Sequence, residues 1–355
     1  MKGVRLKRLA QIMETRGVDR VLIGSDLALF YYTGIYEETM ERLRLLLADR
    51  EGGGLWAANQ IFRTEGQALR HRDGEEKRAL KALAEQLKPG EAVAVDGAWR
   101  ADYLLELLAL APQCTFCPAG ELLSEPMRCK DGEELELMER SSRINDLVAE
   151  ELISSVGPDS TEVGLSKAIH GLYDKHGADG HEGGALVAFG ANCGSPHPAA
   201  RQVRPQPGDC ILIDAGAPYQ RYQSDMTRTV FFWDVSPEME KIYAIVLEAN
   251  LAGIDAVRPG RTAGEVDKVC RQVIEKSGYG AYFTHRTGHG IGLRLHEEPY
   301  IGQGDKTVLE EGMIFSIEPG IYLPERGGVR IEDLVAVTSD GAKILNHLSK
   351  DLRVV

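Results

Sequence analysis

Apolar positions in the first third of the chain alternate between short dense runs and helically spaced stretches. Val21-Leu22-Ile23, Leu43 to Leu47, Leu55 to Ala58 and Ala92 to Val95 are too short for helices and read as buried strands. Glu76 to Leu87 and Trp99 to Leu108 carry their apolar residues at helical spacing and read as helices. Ahead of them, Leu6, Leu9, Ile12 and Met13 share one face of a basic helix within residues 1–17. The pattern predicts a small α/β domain over residues 1–122.

A new pattern begins near Asp131. Asp131 and Glu134 have capping-box spacing, and Leu137, Ile144, Val148 and Leu152 recur at helical intervals as far as Gly157-Pro158. A second domain is therefore expected over residues 128–355, with the boundary in 122–130. Inside it, Val156-x-Pro158-x-x-Thr161 recurs as Val257-x-Pro259-x-x-Thr262, each after a long amphipathic helix and before another helical stretch. Each copy should lead into a hairpin. The first would pair Cys210 to Gly216 with Tyr222 to Phe232. The second would pair Met313 to Glu318 with Gly328 to Val337, joined through Pro319-Gly320 and Gly327-Gly328. The expected fold is thus mixed α/β (α+β), with a pseudo-twofold repeat in the second domain.

Composition narrows the function classes. A chain of 355 residues with 43% hydrophobic and 27% charged residues suits about two globular domains and excludes disorder. No apolar run approaches the roughly 18 residues of a membrane span, and the amino terminus lacks a signal peptide's apolar block and cleavage site, so a cytoplasmic protein is expected. Acidic residues outnumber basic ones, 54 to 41, and no Lys/Arg cluster interrupts the net charge of −13, which excludes nucleic acid as a partner. Six cysteines in this length make no disulfide scaffold. Cys114 and Cys117 form a lone Cys-x-x-Cys and read as ordinary thiols, because zinc needs four ligands.

The chemistry points to the second domain. Asp214 directly follows Ile211-Leu212-Ile213, and Glu318 directly follows Ile314-Phe315-Ser316-Ile317, so both carboxylates emerge from apolar strands. With Asp225 and Glu332 they form a mirrored set of four, two per copy. Any one alone reads as a surface or salt-bridged acid. Four converging carboxylates repel one another unless cations lie between them, and oxygen-rich sites suit manganese or cobalt, with zinc also acceptable. Thr287-Gly288-His289-Gly290-Ile291-Gly292 adds an imidazole among three glycines, which allow close backbone approach. His296, in His296-Glu297-Glu298-Pro299, belongs to no helical zinc motif, since no second histidine stands four residues away. His197, in Ser195-Pro196-His197-Pro198, taken alone is an ordinary loop histidine.

These motifs resemble the pita-bread metallopeptidases. The resemblance rests on Ile213-Asp214-Ala215-Gly216, Ser224-Asp225-Met226-Thr227-Arg228-Thr229, the Gly288 to Gly292 loop, Glu318-Pro319-Gly320 and Val329-Arg330-Ile331-Glu332-Asp333. It is strongest to the branch of Xaa-Pro aminopeptidases and Xaa-Pro dipeptidases (prolidases) and covers most of residues 128–345. Weaker similarity to a creatinase-type domain reaches the first third, where Leu29-Phe30-Tyr31-Tyr32-Thr33-Gly34 resembles the family's early strand motif. Gln220-Arg221-Tyr222-Gln223 departs from the family, which often has a small residue before this tyrosine.

The resemblance implies two divalent ions, with Asp225 and Glu332 bridging them, Asp214 chelating one, and His289 with Glu318 completing the other. It implies metal-assisted hydrolysis of the amide bond before proline, with Glu318 moving the proton, His296 at the oxyanion and His197 beside the substrate. Arg330 would brace the site from the same strand face as Glu332, and Tyr322 would supply a supporting hydroxyl. Short proline-containing peptides are the implied partners, and a homodimer the implied assembly, with the amino-terminal third serving in assembly and in limiting access. Dipeptidase and aminopeptidase activity are both compatible with the motifs. Another hydrolase or a peptide-binding module on this fold is opposed by the complete ligand set.

Overall fold

The short apolar runs of the first third pair into one six-stranded sheet. In this computed structural model, which describes residues 2–179 and 184–355, strand Arg20–Ile23 lies antiparallel to Arg44–Asp49 and parallel to Ala92–Val95. Gly54–Asn59 and two edge strands, Ala68–His71 and Thr115–Pro118, complete the sheet. Neither edge strand has an apolar run, and Thr115–Pro118 is largely accessible, which is why apolar patterning does not reveal them. Leu22, Leu45, Leu47 and Val93 pack against Leu80, Leu83 and Leu107 from helices Glu76–Ala84 and Ala101–Leu110. Each such leucine favours folding by roughly 1.5–3 kcal/mol relative to exposure.

The Leu29 to Gly34 motif, matched above to a strand motif, is instead the end of helix Asp26–Thr33. Thr33 Oγ1 donates to the Leu29 carbonyl at 2.6 Å, and Gly34, at φ 69°, closes the helix by donating its N–H to Phe30 at 2.6 Å. Tyr31 and Tyr32 are buried, and their hydroxyls donate to the carbonyls of Pro126 and Leu123.

A second unit, Arg128–Val355, follows the first, Met1–Met127. Its first helix, Gly132–Ser154, opens on a capping box, with Glu134 N–H donating to Asp131 at 3.0 Å and Asp131 N–H to Glu134 at 2.9 Å. Helix Glu162–His176 comes next, capped by Thr161. Pro237–Ala256 and Ala263–Lys276, the latter capped by Thr262, repeat the pair. After the first pair, Cys210–Gly216 runs antiparallel to Met226–Phe231 and, on its other side, to Gly184–Phe189. After the second pair, Ile314–Ile317 runs antiparallel to Asp333–Val337, within a five-stranded sheet that also holds Gly288–Gly290 and Glu297–Ile301.

Both hairpins differ from expectation at their turns. In the first, pairing begins at Met226 and not at Tyr222. Gln220 and Arg221 both adopt left-handed φ, 47° and 72°, and close a tight turn between Tyr219 and Tyr222. In the second, Gly328 to Val337 is not one strand. Gly327–Arg330 pairs with Gly320–Leu323 as a separate two-stranded ribbon, and only Asp333–Val337 returns to Ile314–Ile317. Glu325, at φ 63°, and Gly327, at φ 128°, turn that ribbon. The halves meet where Glu332 N–H donates to the Thr227 carbonyl at 3.1 Å and Arg330 N–H donates to Thr229 Oγ1 at 3.2 Å.

Candidate active site

Each half sets its carboxylates at corresponding places. Asp214 lies toward the end of Cys210–Gly216 and Asp225 just before Met226–Phe231; Glu318 just follows Ile314–Ile317 and Glu332 just precedes Asp333–Val337. Ligating atoms of Asp225, His289 and Glu332 lie within 4.8 Å of one another. Glu318 stands beside them, its Oε1 3.5 Å from His289 Nε2, while Asp225 Oδ2 is 3.6 Å from the same nitrogen. Asp214 faces Arg330, whose Nη2 donates to its Oδ2 at 2.6 Å.

His289 is placed by backbone contacts that only glycine permits. A Cβ on Gly288 would fall 1.8 Å from the Ser316 carbonyl oxygen, and one on Gly290 2.4 Å from that of Glu298. His289 Nδ1 lies 3.1 Å from the Gly290 carbonyl, which can only accept, so Nδ1 carries the proton and Nε2 presents its lone pair to the carboxylates. Burial, reinforced by nearby His296, lowers the His289 pKa to about 3, which keeps the ring neutral. Burial, and then their carboxylate neighbours, push Asp225 and Glu332 well above the usual carboxylate range. Burial raises Glu318 to about 7, against the opposing pull of Arg330.

Arg330 is buried and divides its donors among Asp214, Thr227 Oγ1 at 3.0 Å, the Tyr322 hydroxyl at 2.9 Å and the Pro196 carbonyl at 3.0 Å. The strand ends at Arg330, yet its side chain still meets that of Glu332, because Thr227 Oγ1 accepts from Arg330 and donates to Glu332 Oε2 at 2.7 Å. Tyr322, raised to about 12 by burial, donates in turn to His285 Nε2 at 2.8 Å. His285 Nδ1 must point its proton at the Arg286 carbonyl, 2.7 Å away, and burial lowers this ring to about 4.

A cavity of about 940 Å³ opens over these groups, and His197, Arg286 and His296 are in its wall. The His296 ring stands edge-on to His289 with centroids 4.0 Å apart; partial burial, then Arg286, lowers its pKa. His285 and Asp267 are absent from the sequence-based candidates. Asp267, buried and paired with Arg271 at 3.0 Å, accepts from Thr287 Oγ1 at 2.8 Å and so fixes the entry to Gly288–Gly290. Only the four-residue spacing of Asp267 and Arg271 on one helix signals that pair in the sequence.

The model of Metallopeptidase family M24 matches residues 136–339, and that of the Creatinase/Prolidase N-terminal domain matches residues 5–129. The chain belongs to metallopeptidase family M24. An Xaa-Pro dipeptidase of Pyrococcus furiosus is similar to this M24 chain, 32% identical over 348 residues that cover 98% of the chain and 99% of the relative. Among solved structures, a prolidase from Thermococcus sibiricus is similar at TM-score 0.94 and 32% identity, covering 99% of this chain and 98% of that one. An X-Pro aminopeptidase from Thermotoga maritima is similar at TM-score 0.86 and 27% identity, covering 99% of each chain. The expected creatinase-type amino-terminal fold and pita-bread catalytic fold are those of this M24 chain.

Membership in a metallopeptidase family implies divalent cations, and the donor set fits them. Glu332 Oε1 is buried with no hydrogen-bond partner among the described residues, next to a neutral imidazole with a free lone pair. Among the described residues, no helix of this M24 chain is long and apolar enough to cross a membrane.

Proposed function

We propose that this M24 chain is a metallo-exopeptidase that hydrolyses the Xaa-Pro bond, in dipeptides first and at the amino terminus of short peptides second. The observation that carries the reading is the unpartnered Glu332 Oε1 beside Asp225 and His289, under a cavity of peptide size. The dipeptidase named for the relative aligned along nearly the whole chain supports the preference for dipeptides.

In this reading Asp214, Asp225, His289, Glu318 and Glu332 hold two divalent cations, manganese or cobalt with zinc an alternative, because the carboxylates outweigh the charge of one such ion. Bound there, the cations would polarise the amide carbonyl and lower the pKa of an attacking water. Glu318, braced by Ser316 Oγ at 3.1 Å, takes the water's proton and delivers it to the leaving proline nitrogen. His296 donates to the carbonyl oxygen as charge develops there, and His197 meets the substrate from the cavity wall. Arg330 acts by holding Asp214 in place. The working form is a cytoplasmic homodimer whose partners are short proline-containing peptides.

The test combines elemental analysis with turnover of Xaa-Pro dipeptides, Xaa-Pro tripeptides and N-terminal methionine peptides under added manganese, cobalt or zinc. Two metal equivalents per chain and fastest cleavage of the dipeptides are expected. A fully loaded protein that cleaves only methionine peptides, or none, refutes the proposal.

A further inference from the structure

Glu162 opens helix Glu162–His176, yet its side chain does not serve that helix, which Thr161 already caps by accepting from Gly164 N–H at 3.0 Å. The carboxylate is fully buried, and among the described residues its charge is met by N–H groups alone. Oε1 accepts from Phe189 N–H at 2.7 Å and Asn192 Nδ2 at 3.0 Å; Oε2 accepts from Asn192 Nδ2 at 2.9 Å and Arg201 N–H at 2.5 Å. Asn192 Nδ2 also donates to the Ala199 carbonyl at 3.1 Å. One carboxylate thus closes residues 189–201 into a loop, gripping it at both ends. Burying an anion in this way is unfavourable unless its donors are held in place, so the arrangement is rigid.

The loop carries Ser195-Pro196-His197-Pro198. The His197 ring is exposed at the cavity wall and forms no hydrogen bond or ion pair with the described residues, so its place depends on the backbone beneath it. That backbone is fixed at Pro196, whose carbonyl accepts from Arg330, and at the two ends that Glu162 holds.

We infer that Glu162 is a positioning residue for His197, acting through the 189–201 loop. The inference rests on the proposed contact of His197 with substrate. Glu162→Gln keeps the size but turns one acceptor into a donor that opposes the loop's N–H groups. The test uses the full-length chain loaded with manganese, an Xaa-Pro dipeptide, and four variants: E162Q, N192A, H197A and the double variant E162Q/H197A. E162Q is expected to lose about 10- to 100-fold in kcat/KM, in the range seen for groups that orient active-site residues. The double variant should be no slower than H197A alone, because a displaced and an absent imidazole are equivalent. Hydrogen–deuterium exchange should rise within residues 189–201 and not in Gly288–Gly290 or Ile314–Ile317, with metal content unchanged. N192A, which leaves both backbone N–H bonds to Glu162, should show the same signs at smaller size.

Losses that multiply in the double variant, unchanged exchange in the loop, or loss of metal in E162Q each overturn the inference. An H197A variant as fast as the parent removes the role of His197 and the inference with it. A slow H197A beside a normal E162Q overturns the inference alone. If the parent cleaves no Xaa-Pro peptide, the proposed function fails separately, and the exchange measurement still decides whether Glu162 holds the loop.

Discussion

In the first half of the catalytic unit, Asp214 and Asp225 are joined by a short connection turning at Gln220-Arg221. In the second, the span between Glu318 and Glu332 contains a whole ribbon, Gly320–Leu323 with Gly327–Arg330. The ribbon brings Tyr322 and Arg330, and Arg330 reaches back to Asp214 in the other half. The second half alone also supplies His289 and His296, while the first supplies the loop with His197. The halves therefore match in their helix pairs and in where they set carboxylates, and differ in the ribbon, loop and histidines that surround the carboxylates. A repeat can place charges symmetrically, but a peptide has distinct ends, and the groups that meet it must differ from one side to the other.

The largest effect should come from breaking the matched part. Asp225→Ala and Glu332→Ala, one from each half, should each lower kcat/KM by at least about 10³-fold and reduce bound metal together. Full metal loading with normal turnover in either variant contradicts the assignment. The unmatched histidines should then separate. His289→Ala is expected to lose metal, whereas His296→Ala should lower kcat by about 10²-fold with metal affinity nearly unchanged. Equal metal loss in both would erase that distinction. Arg330→Lys keeps the charge but not the planar fork, and should lower activity about 10- to 100-fold, with a smaller loss in Tyr322→Phe. A Tyr322→Phe loss exceeding that of Arg330→Lys would show that the hydroxyl serves something besides the guanidinium.

Stability should also respond to pH. Folding raises the pKa values of Asp225, Glu332 and Glu318, the last to about 7, so the folded state binds protons that the unfolded chain releases near pH 4. Their stabilising contribution is complete below that value and is lost as pH rises through the folded pKa values. The metal-free protein should therefore lose thermal stability from about pH 5 to pH 8, and added manganese should remove most of that slope. A flat profile without metal would mean that the carboxylates relax apart. The smallest effect concerns the paired N-caps: Thr161→Ala and Thr262→Ala should each cost about 1 kcal/mol, read by denaturant unfolding, with activity intact.

Much of this arrangement is legible in the sequence because charge after an apolar run is unusual. Asp214 and Glu318 follow buried strand residues, and the Thr161 and Thr262 repeats announce the two halves. The ribbon is not legible, since Gly328 to Arg330 reads as the start of the returning strand and the residues from Pro319-Gly320 to Gly327 as its connection, until Glu325 and Gly327 take positive φ. The helix ending at Gly34 was hidden for a related reason. Its aromatic and β-branched residues favour strands, and tertiary burial of Tyr31 and Tyr32 overrides that preference. His285 carries no local mark at all, because its partner, Tyr322, lies 37 residues away.

The junction of the halves also bears on the order in which the chain folds. The bond from Thr227 to Glu332 spans 105 residues and that from Arg330 to Asp214 spans 116, whereas each helix pair and each hairpin closes locally. Long loops cost more entropy to close, and here closure also drives like charges together. Helices and hairpins are thus expected to form early and the carboxylate cluster late. A cation that binds only the finished cluster acts at that late step, so the metal would serve first as an assembly partner of the two halves and only afterwards as part of a catalyst.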